Sequence, residues 1–422
     1  MDALVVGAGI GGLTAALSLH EAGIRTQVIE AATELRPVSV GINLLPHAVR
    51  ELTELGLGEQ LDATGCKPAS MAHFDRHGGR IWAEPRGTAQ GYRWPQYSIH
   101  RGELQMILLE AVRARLGADA VRTGTVFESF EQDDTGVRAR LRDRATGAVE
   151  TVRYDVLIGA DGNRSTVRAQ LHPDEPGMLW NGVRVWRGMA ETEPVLDDRT
   201  IVVAGSNSRA KLVVYPISRP LQKQGRALLN WVAEVKISHD GITEAPDVET
   251  REGRLEEFLH VYADWKFDWL DVPALLSSTD RIVSHLMIDR EPLPFWSRDR
   301  VTLLGDAAHP MYPIGSNGGS QAILDARVLA YELAQRSDDP VGGLAAYDKV
   351  RREPVNAIVL ACRDMPADRV LHTVSERAPD GFERIEDVLS AEEIAAISNA
   401  YRQTSFSDAE ELNNRESFNV RR

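Results

Sequence analysis

The sequence predicts an α/β fold of two interleaved lobes, one a wound parallel sheet and the other mainly antiparallel β. Three observations predict it. The chain opens as strand, glycine-rich turn, helix and strand within about 30 residues, the size of a βαβ unit. Two more short apolar runs, Val156–Ile158 and Val301–Leu304, recur far downstream, each followed by Gly and Asp. Between them, residues 180–236 switch to alternating strands of the kind that keep one face wet.

Ala3–Val6 is apolar throughout, as a parallel strand buried on both faces must be. Gly7 to Gly12 break it, and Leu13, Ala16 and Leu17 then recur at helical spacing. Gly23 suits the left-handed end of that helix, and Thr26–Ile29 is the second strand. Residues 99–122 read as a helix, and Ala322–Ala334 as another with an Ala/Leu face. Arg184–Gly188, Thr200–Ala204, Lys211–Tyr215 and Ala227–Val235 read as the antiparallel strands. The expected organisation is a nucleotide-binding lobe from 1–70, 99–172 and 291–365. A β lobe spans 173–290, a hairpin at 71–98 joins it, and 366–422 is a charged tail with helical patches at Ile385–Leu389 and Glu392–Tyr401.

Composition bounds the function. With 422 residues, 43% hydrophobic and 26% charged, the chain is of ordinary globular type. A net charge of −14 argues against a nucleic-acid groove, which needs a basic stripe. Cys66 and Cys362 cannot form a disulfide framework. The uncharged stretch Leu4–Leu19 is broken by glycines and follows Asp2, so neither a membrane span nor a secretion signal is expected, and a cytoplasmic location is.

Gly7-Ala8-Gly9-Ile10-Gly11-Gly12 is a G-x-G-x-x-G turn between a strand and a helix. Gly7 permits the turn, Gly9 admits a pyrophosphate to the backbone, and Gly12 lets helix and strand pack closely; the helix N-terminus then faces the phosphates. Glu30 ends the next strand, where an acid accepts ribose hydroxyls and repels a 2′-phosphate, so FAD or NAD is expected. The acidic turns Asp161-Gly162 and Gly305-Asp306 favour the flavin, whose ribityl chain needs acceptors at its far end. Pro313 to Gly319 then enter a helix whose N-terminus would face the flavin pyrimidine edge. Taken singly, Asp161 and Asp306 are equally well read as turn or cap residues.

These three fingerprints, in this order, resemble the class A FAD-dependent aromatic hydroxylases, and His100 to Gln105 looks like that family's helix carrying an Arg to the cofactor. Val40-Gly41-Ile42-Asn43, Tyr97–Leu109 and Ser320–Asp325 resemble the phenazine-hydroxylating branch, over roughly residues 1–362. The resemblance implies the p-hydroxybenzoate hydroxylase-like fold. It implies that Gly7, Gly9, Ile10, Gly11, Gly12, Glu30, Ala31, Arg36, Arg101, Gln105, Val126 and Asp306 hold the diphosphate, ribityl and adenosine parts of FAD. Gly41, Ile42, Asn43, Gly315, Ser316, Asn317, Gly318 and Gly319 would border the flavin ring, and Asp161 would serve both FAD and NAD(P)H. The implied reaction is NAD(P)H- and O2-dependent hydroxylation of a phenazine-like or phenolic acid through a flavin C4a-hydroperoxide, with or without decarboxylation. Pro313 and Gly318 would position flavin and substrate, with no acid–base dyad; the cofactor performs the hard step and a dry pocket protects it.

Strand parity suggests the pocket. If Lys211 and Glu234 face solvent, Leu212, Val214 and Trp231 point inward, with Trp186 and Pro313 beside them; each is equally well read as plain sheet core. His285 and His309 read as structural hydrogen-bonders rather than proton shuttles. His73 and His77 fall in a hairpin, so no metal site is expected. The expected partner is a small aromatic molecule, with a homodimer left open. The same chemistry could instead epoxidise a ring or oxidise a ring nitrogen; a flavin-bearing protein that merely sequesters an aromatic compound is the alternative of another class.

Overall fold

The computed structural model describes residues 1–37, 40–246, 250–364, 366–396 and 408–420, with only the backbone of 366 and 367. The first sheet has six strands, β21 (Ser297–Arg298), β22 (Val301–Leu303), β11 (Val156–Gly159), β1 (Asp2–Val6), β2 (Arg25–Ile29) and β7 (Val121–Arg122), in that order. All neighbours but β21 and β22 run parallel. Helix α1 (Ile10–Glu21) packs on this sheet between α4 (Arg101–Leu116) and α8 (Asn317–Gln335). It is buried nearly all round, which explains its Ala- and Leu-rich sequence. A three-stranded sheet of β8 (Thr125–Asp133), β9 (Gly136–Asp143) and β10 (Val149–Tyr154) lies against β1 and β11. The helix expected over 99–122 ends at Leu116, because Gly117 turns the chain at φ 100°; residues 121–122 then join the sheet as β7.

The second sheet has nine strands. Its centre is β12 (Leu179–Thr192), β15 (Ala227–Lys236), β14 (Ala210–Pro216) and β13 (Thr200–Ser206), all antiparallel. Strands β4 (Ser70–Phe74) and β5 (Arg80–Pro85) extend it on one side, and β20 (Val283–Asp289) on the other; two-residue strands β16 (Thr243–Glu244) and β17 (Arg251–Glu252) finish that edge. The expected hairpin at 71–98 is thus divided. Its first part joins this sheet, whereas β6 (Tyr97–His100) pairs with β3 (Gly41–Leu44) beneath it.

The two faces of the second sheet are covered differently. One face carries Trp186, Leu212, Val214 and Trp231 and packs on Phe258, Tyr262, Trp265 and helix 272–277. The other face meets Tyr312, Cys362 and the C-terminal helix Pro366–Arg377, through Val370, Leu371 and Val374. Of the tail, Ile385–Asp387 forms a short 3-10 turn, and the end of the Glu392–Tyr401 patch lies outside the described residues. Among the described residues no helix is long and apolar enough to cross a membrane.

His47, near the start of the helix Pro46–Glu54, is 3% exposed, and neither ring nitrogen has a partner among the described residues. Burial, with Arg351 and Arg415 nearby, pushes its pKa down to about 3. Between pH 6.5 and about 3 the unfolded chain takes up a proton that the folded chain refuses, so folding loses stability as pH falls through that window. Chemical denaturation across that range should show His47→Leu less acid-sensitive than the parent; equal slopes for both would refute this origin.

Candidate active site

The glycine turn is built by contacts that no side chain could share. Gly7 stands at φ 107° against the Ala160 carbonyl, and a Cβ on Gly12 would collide with the Gly7 oxygen. A Cβ on Gly9, by contrast, would meet nothing within 4 Å, so the turn is open where a ligand must lie. Glu30 braces it: its carboxylate accepts from Ala8 N at 3.0 Å and Ala32 N at 2.8 Å. Gln105 donates to the Ala8 carbonyl at 2.8 Å. Both residues expected at the cofactor thus also hold the turn that would receive it. Val126 lies one residue beyond Thr125, whose N–H bonds the Glu30 carbonyl. Arg36 is exposed and pairs with Glu34 at 2.7 Å, and the Ala31 carbonyl accepts from Arg144.

Asp161 acts as a cap. It accepts from Ser165 Oγ at 2.5 Å and from the N–H groups of Thr166 and Val167, at the start of the helix Thr166–Leu171, and burial raises its pKa. Asp306 is exposed in the turn Gly305–Ala307, at the wall of a cavity. That turn is pinned by buried Asp325, which accepts from Gly305 N at 3.0 Å, His309 Nε2 at 2.6 Å and Arg351 Nε at 2.8 Å. Burial alone would raise the Asp325 pKa, but His309 and Arg351 hold it below the usual range. His309 is therefore a structural partner of Asp325, as expected. Gly315 and Ser316 both take positive φ, 70° and 61°, and deliver the chain into α8.

A cavity of about 370 Å³ joins these pieces. Gly9, Ile10, Gly11, Gly41, Ile42, Asn43, Arg101, Asp306, Pro313 and the run Gly315–Gly319 line it. It continues under the second sheet past Val185, Arg187, Val213, Tyr215, Val232 and His285 to Met71, Ile201, Lys211, Glu234 and Asp368. An elongated dinucleotide fits the first half. Two helix N-termini, those of α1 and α8, face it with free N–H groups, and its walls are glycine backbone.

The parity expectation is inverted. Leu212, Val214, Trp186 and Trp231 point to the opposite face, where Trp186 donates to Glu257 and Trp231 to Thr279. Lys211 and Glu234 are not solvent-facing: they are 5% and 3% exposed and face the cavity. They are direct partners across β14 and β15, 2.9 Å apart, so each neutralises the other out of water. That opposition is a matter of strand pairing, which neither strand's sequence carries alone. Arg187, absent from the expected site, and His285, expected as a structural hydrogen-bonder, sit on the cavity face. His285 Nδ1 donates to the Leu286 carbonyl at 2.9 Å, which leaves Nε2 an acceptor. Burial and the Arg187 charge push its pKa down to about 4. Among the described residues no cluster of His, Cys, Asp and Glu suits a metal.

Two outcomes follow from this geometry. Gly12→Ala must displace the turn, so the purified variant should lose most of its flavin absorbance; a fully yellow variant would contradict the close packing. Asp325→Ala strands buried Arg351 and His309 and should cost about 3–5 kcal/mol in a denaturant titration.

The FAD binding domain family matches residues 1–361. The chain is 49% identical over 376 residues to the phenazine 1,6-dicarboxylic acid hydroxylase PhzS of Lysobacter antibioticus, covering 88% of this chain and 92% of that one. It is 34% identical over 363 residues to the aurachin C monooxygenase/isomerase of Stigmatella aurantiaca, covering 85% and 87%. Its structure is similar to that of 2,6-dihydroxypyridine-3-hydroxylase from Arthrobacter nicotinovorans, with a TM-score of 0.71, 25% identity and coverage of 88% and 93%. With the glycine turn, the GD turn and the cavity between the two sheets, these likenesses place the chain in the FAD-binding family of flavin-dependent aromatic monooxygenases, enzymes that use NAD(P)H and O2.

Proposed function

We propose that this chain hydroxylates a planar heteroaromatic acid of the phenazine type. The observation that carries the reading is the cavity itself, continuous from the glycine-lined half to an apolar slot roofed by the second sheet. The similarity to a phenazine acid hydroxylase supports the same substrate class. When bound, FAD supplies the redox chemistry, with NAD(P)H as transient reductant and O2 as oxidant. Gly7, Gly9, Ile10, Gly11, Gly12, Glu30, Ala31, Arg36, Gln105, Val126 and Asp306 are the residues we assign to its adenosine, diphosphate and ribityl parts. Arg101 joins them, Gly41–Asn43 and Gly315–Gly319 are assigned to the ring and its edge, and Asp161 is assigned through the turn it caps.

The rest is done by the slot. Met71, Ile201, Val203, Val213, Val185 and Val232 give it flat apolar walls that exclude water from the reacting ring. Arg187 supplies a cation beside the ring edge: its Nη2 donates to the Gly41 carbonyl at 3.2 Å, and its Nε is buried without a partner among the described residues. A substrate carboxylate would complete that guanidinium. Neutral His285 offers an acceptor to a hydroxyl or ring N–H of the substrate. Pro313 and Gly318 border the slot on the flavin side.

The test is a panel of phenazine, quinoline, salicylate and indole acids. A phenazine acid should accelerate NAD(P)H oxidation and emerge heavier by one oxygen atom. A yellow protein that none of the four classes stimulates would overturn this reading and favour a sequestering role.

A further inference from the structure

The inner end of the slot carries an arrangement that the flavin chemistry does not use. Lys211, on β14, lies between two carboxylates: Glu234 of β15 at 2.9 Å and Asp368 of the C-terminal helix Pro366–Arg377 at 3.3 Å. The placement is braced from every side. Tyr262, across the sheet, donates to the carbonyls of both Lys211 and Glu234, at 2.9 and 3.0 Å. The other Asp368 oxygen accepts from Asn207 N at 2.8 Å, at the turn joining β13 to β14. All three charged groups line the cavity amid Met71, Ile201, Val203 and Leu371. Burial would discharge the lysine, but Glu234 and Asp368 outweigh it and hold it charged.

Its position is remote from the flavin half. Tyr215 stands where a Cβ on Gly41 would meet its ring, at the cofactor side, and Lys211 lies four residues back along the same strand, about 13 Å at 3.3 Å per residue. An ammonium has three N–H donors; Asp368 accepts one at 3.3 Å, while Glu234, 2.9 Å away, pairs with the charge without hydrogen-bond geometry. At least one N–H is left for whatever fills the slot. The cluster as a whole, two carboxylates to one cation, carries a net negative charge. A neutral acceptor can take the remaining N–H at no electrostatic cost, whereas a further carboxylate would bring a third anion into a dry site.

We propose that Lys211, set by Glu234 and Asp368, is a specificity-determining residue that anchors the inner edge of the substrate through a neutral acceptor and turns away a second carboxylate there. The inference rests on the aromatic-acid reading above, adds the C-terminal helix to the substrate site, and sets this chain apart from its 49% identical relative, which is named for the 1,6-dicarboxylic acid. Asp368 lies beyond residues 1–361 matched by the family.

The experiment uses the FAD-loaded full chain and three probes: phenazine-1-carboxylate, its carbon analogue anthracene-1-carboxylate, and phenazine-1,6-dicarboxylate. Binding is read by quenching of flavin fluorescence and turnover by NAD(P)H oxidation. The parent should bind the first probe about tenfold more tightly than either other. Asp368→Asn removes one negative charge while keeping shape, and should bring the dicarboxylate within about threefold of the mono-acid, in Kd and KM rather than kcat. Lys211→Met should erase the preference for nitrogen over carbon; should it fail to fold, Asp368→Asn decides alone. Unchanged ratios in a flavin-loaded Asp368→Asn protein overturn the proposal. Selective binding without turnover in the parent would sustain it while overturning the hydroxylase reading instead.

Discussion

The molecule depends on how one glycine is held. Gly41 begins the short strand beside the cofactor half of the cavity, and both of its backbone groups are committed to the other sheet. Its N–H donates to Asn230 Oδ1 at 2.6 Å, and its carbonyl accepts from Arg187 at 3.2 Å. A Cβ there would sit 2.8 Å from Asn230 and 2.9 Å from the Tyr215 ring. The two sheets approach so closely only because residue 41 has no side chain. That closeness makes a single continuous cavity out of a nucleotide groove and an apolar slot.

Much of the nucleotide half was legible in the sequence, because its requirements are local. A strand buried on both faces must be continuously apolar, a pyrophosphate turn must be glycine, and Glu30 falls where the second strand ends. The slot was less legible because it depends on which face of a sheet is covered. The alternation in Lys211–Tyr215 is plain in the sequence, yet its direction inverts on one assumption, that a lysine faces water. Period two makes such an error total, since one wrong residue turns every neighbour over. Glu234 carried the same false sense. What sequence inspection lacked was the register placing these two charges opposite each other, a fact about pairing between strands rather than about either strand.

Buried charge is the common device of the site. Asp325 answers Arg351 and His309, and Lys211 answers Glu234 and Asp368. Each set would be costly if broken, yet none adds much stability over a hydrophobic replacement. Their evident value is positional. Asp325 fixes the turn that presents Asp306, and Arg187 fixes Gly41. Catalysis by a bound flavin asks the protein for little acid–base work and much exact placement, so rigid ion pairs suit it better than mobile bases.

The C-terminal residues extend that logic. Asp368 and Leu371 close the inner wall of the slot, and residues 412–417 return to the helix Pro46–Glu54, where Arg50 donates to the Leu412 and Arg415 carbonyls and Arg415 pairs with Glu51 at 2.8 Å. Glu51 also meets Arg327 of α8, the helix whose N-terminus borders the flavin half. The extension is therefore tied to both ends of the cavity, through the slot wall at 368–371 and through α8 at its far end. Its removal would leave Lys211 with one carboxylate fewer and Glu51 with one arginine fewer, at the two ends of the cavity together.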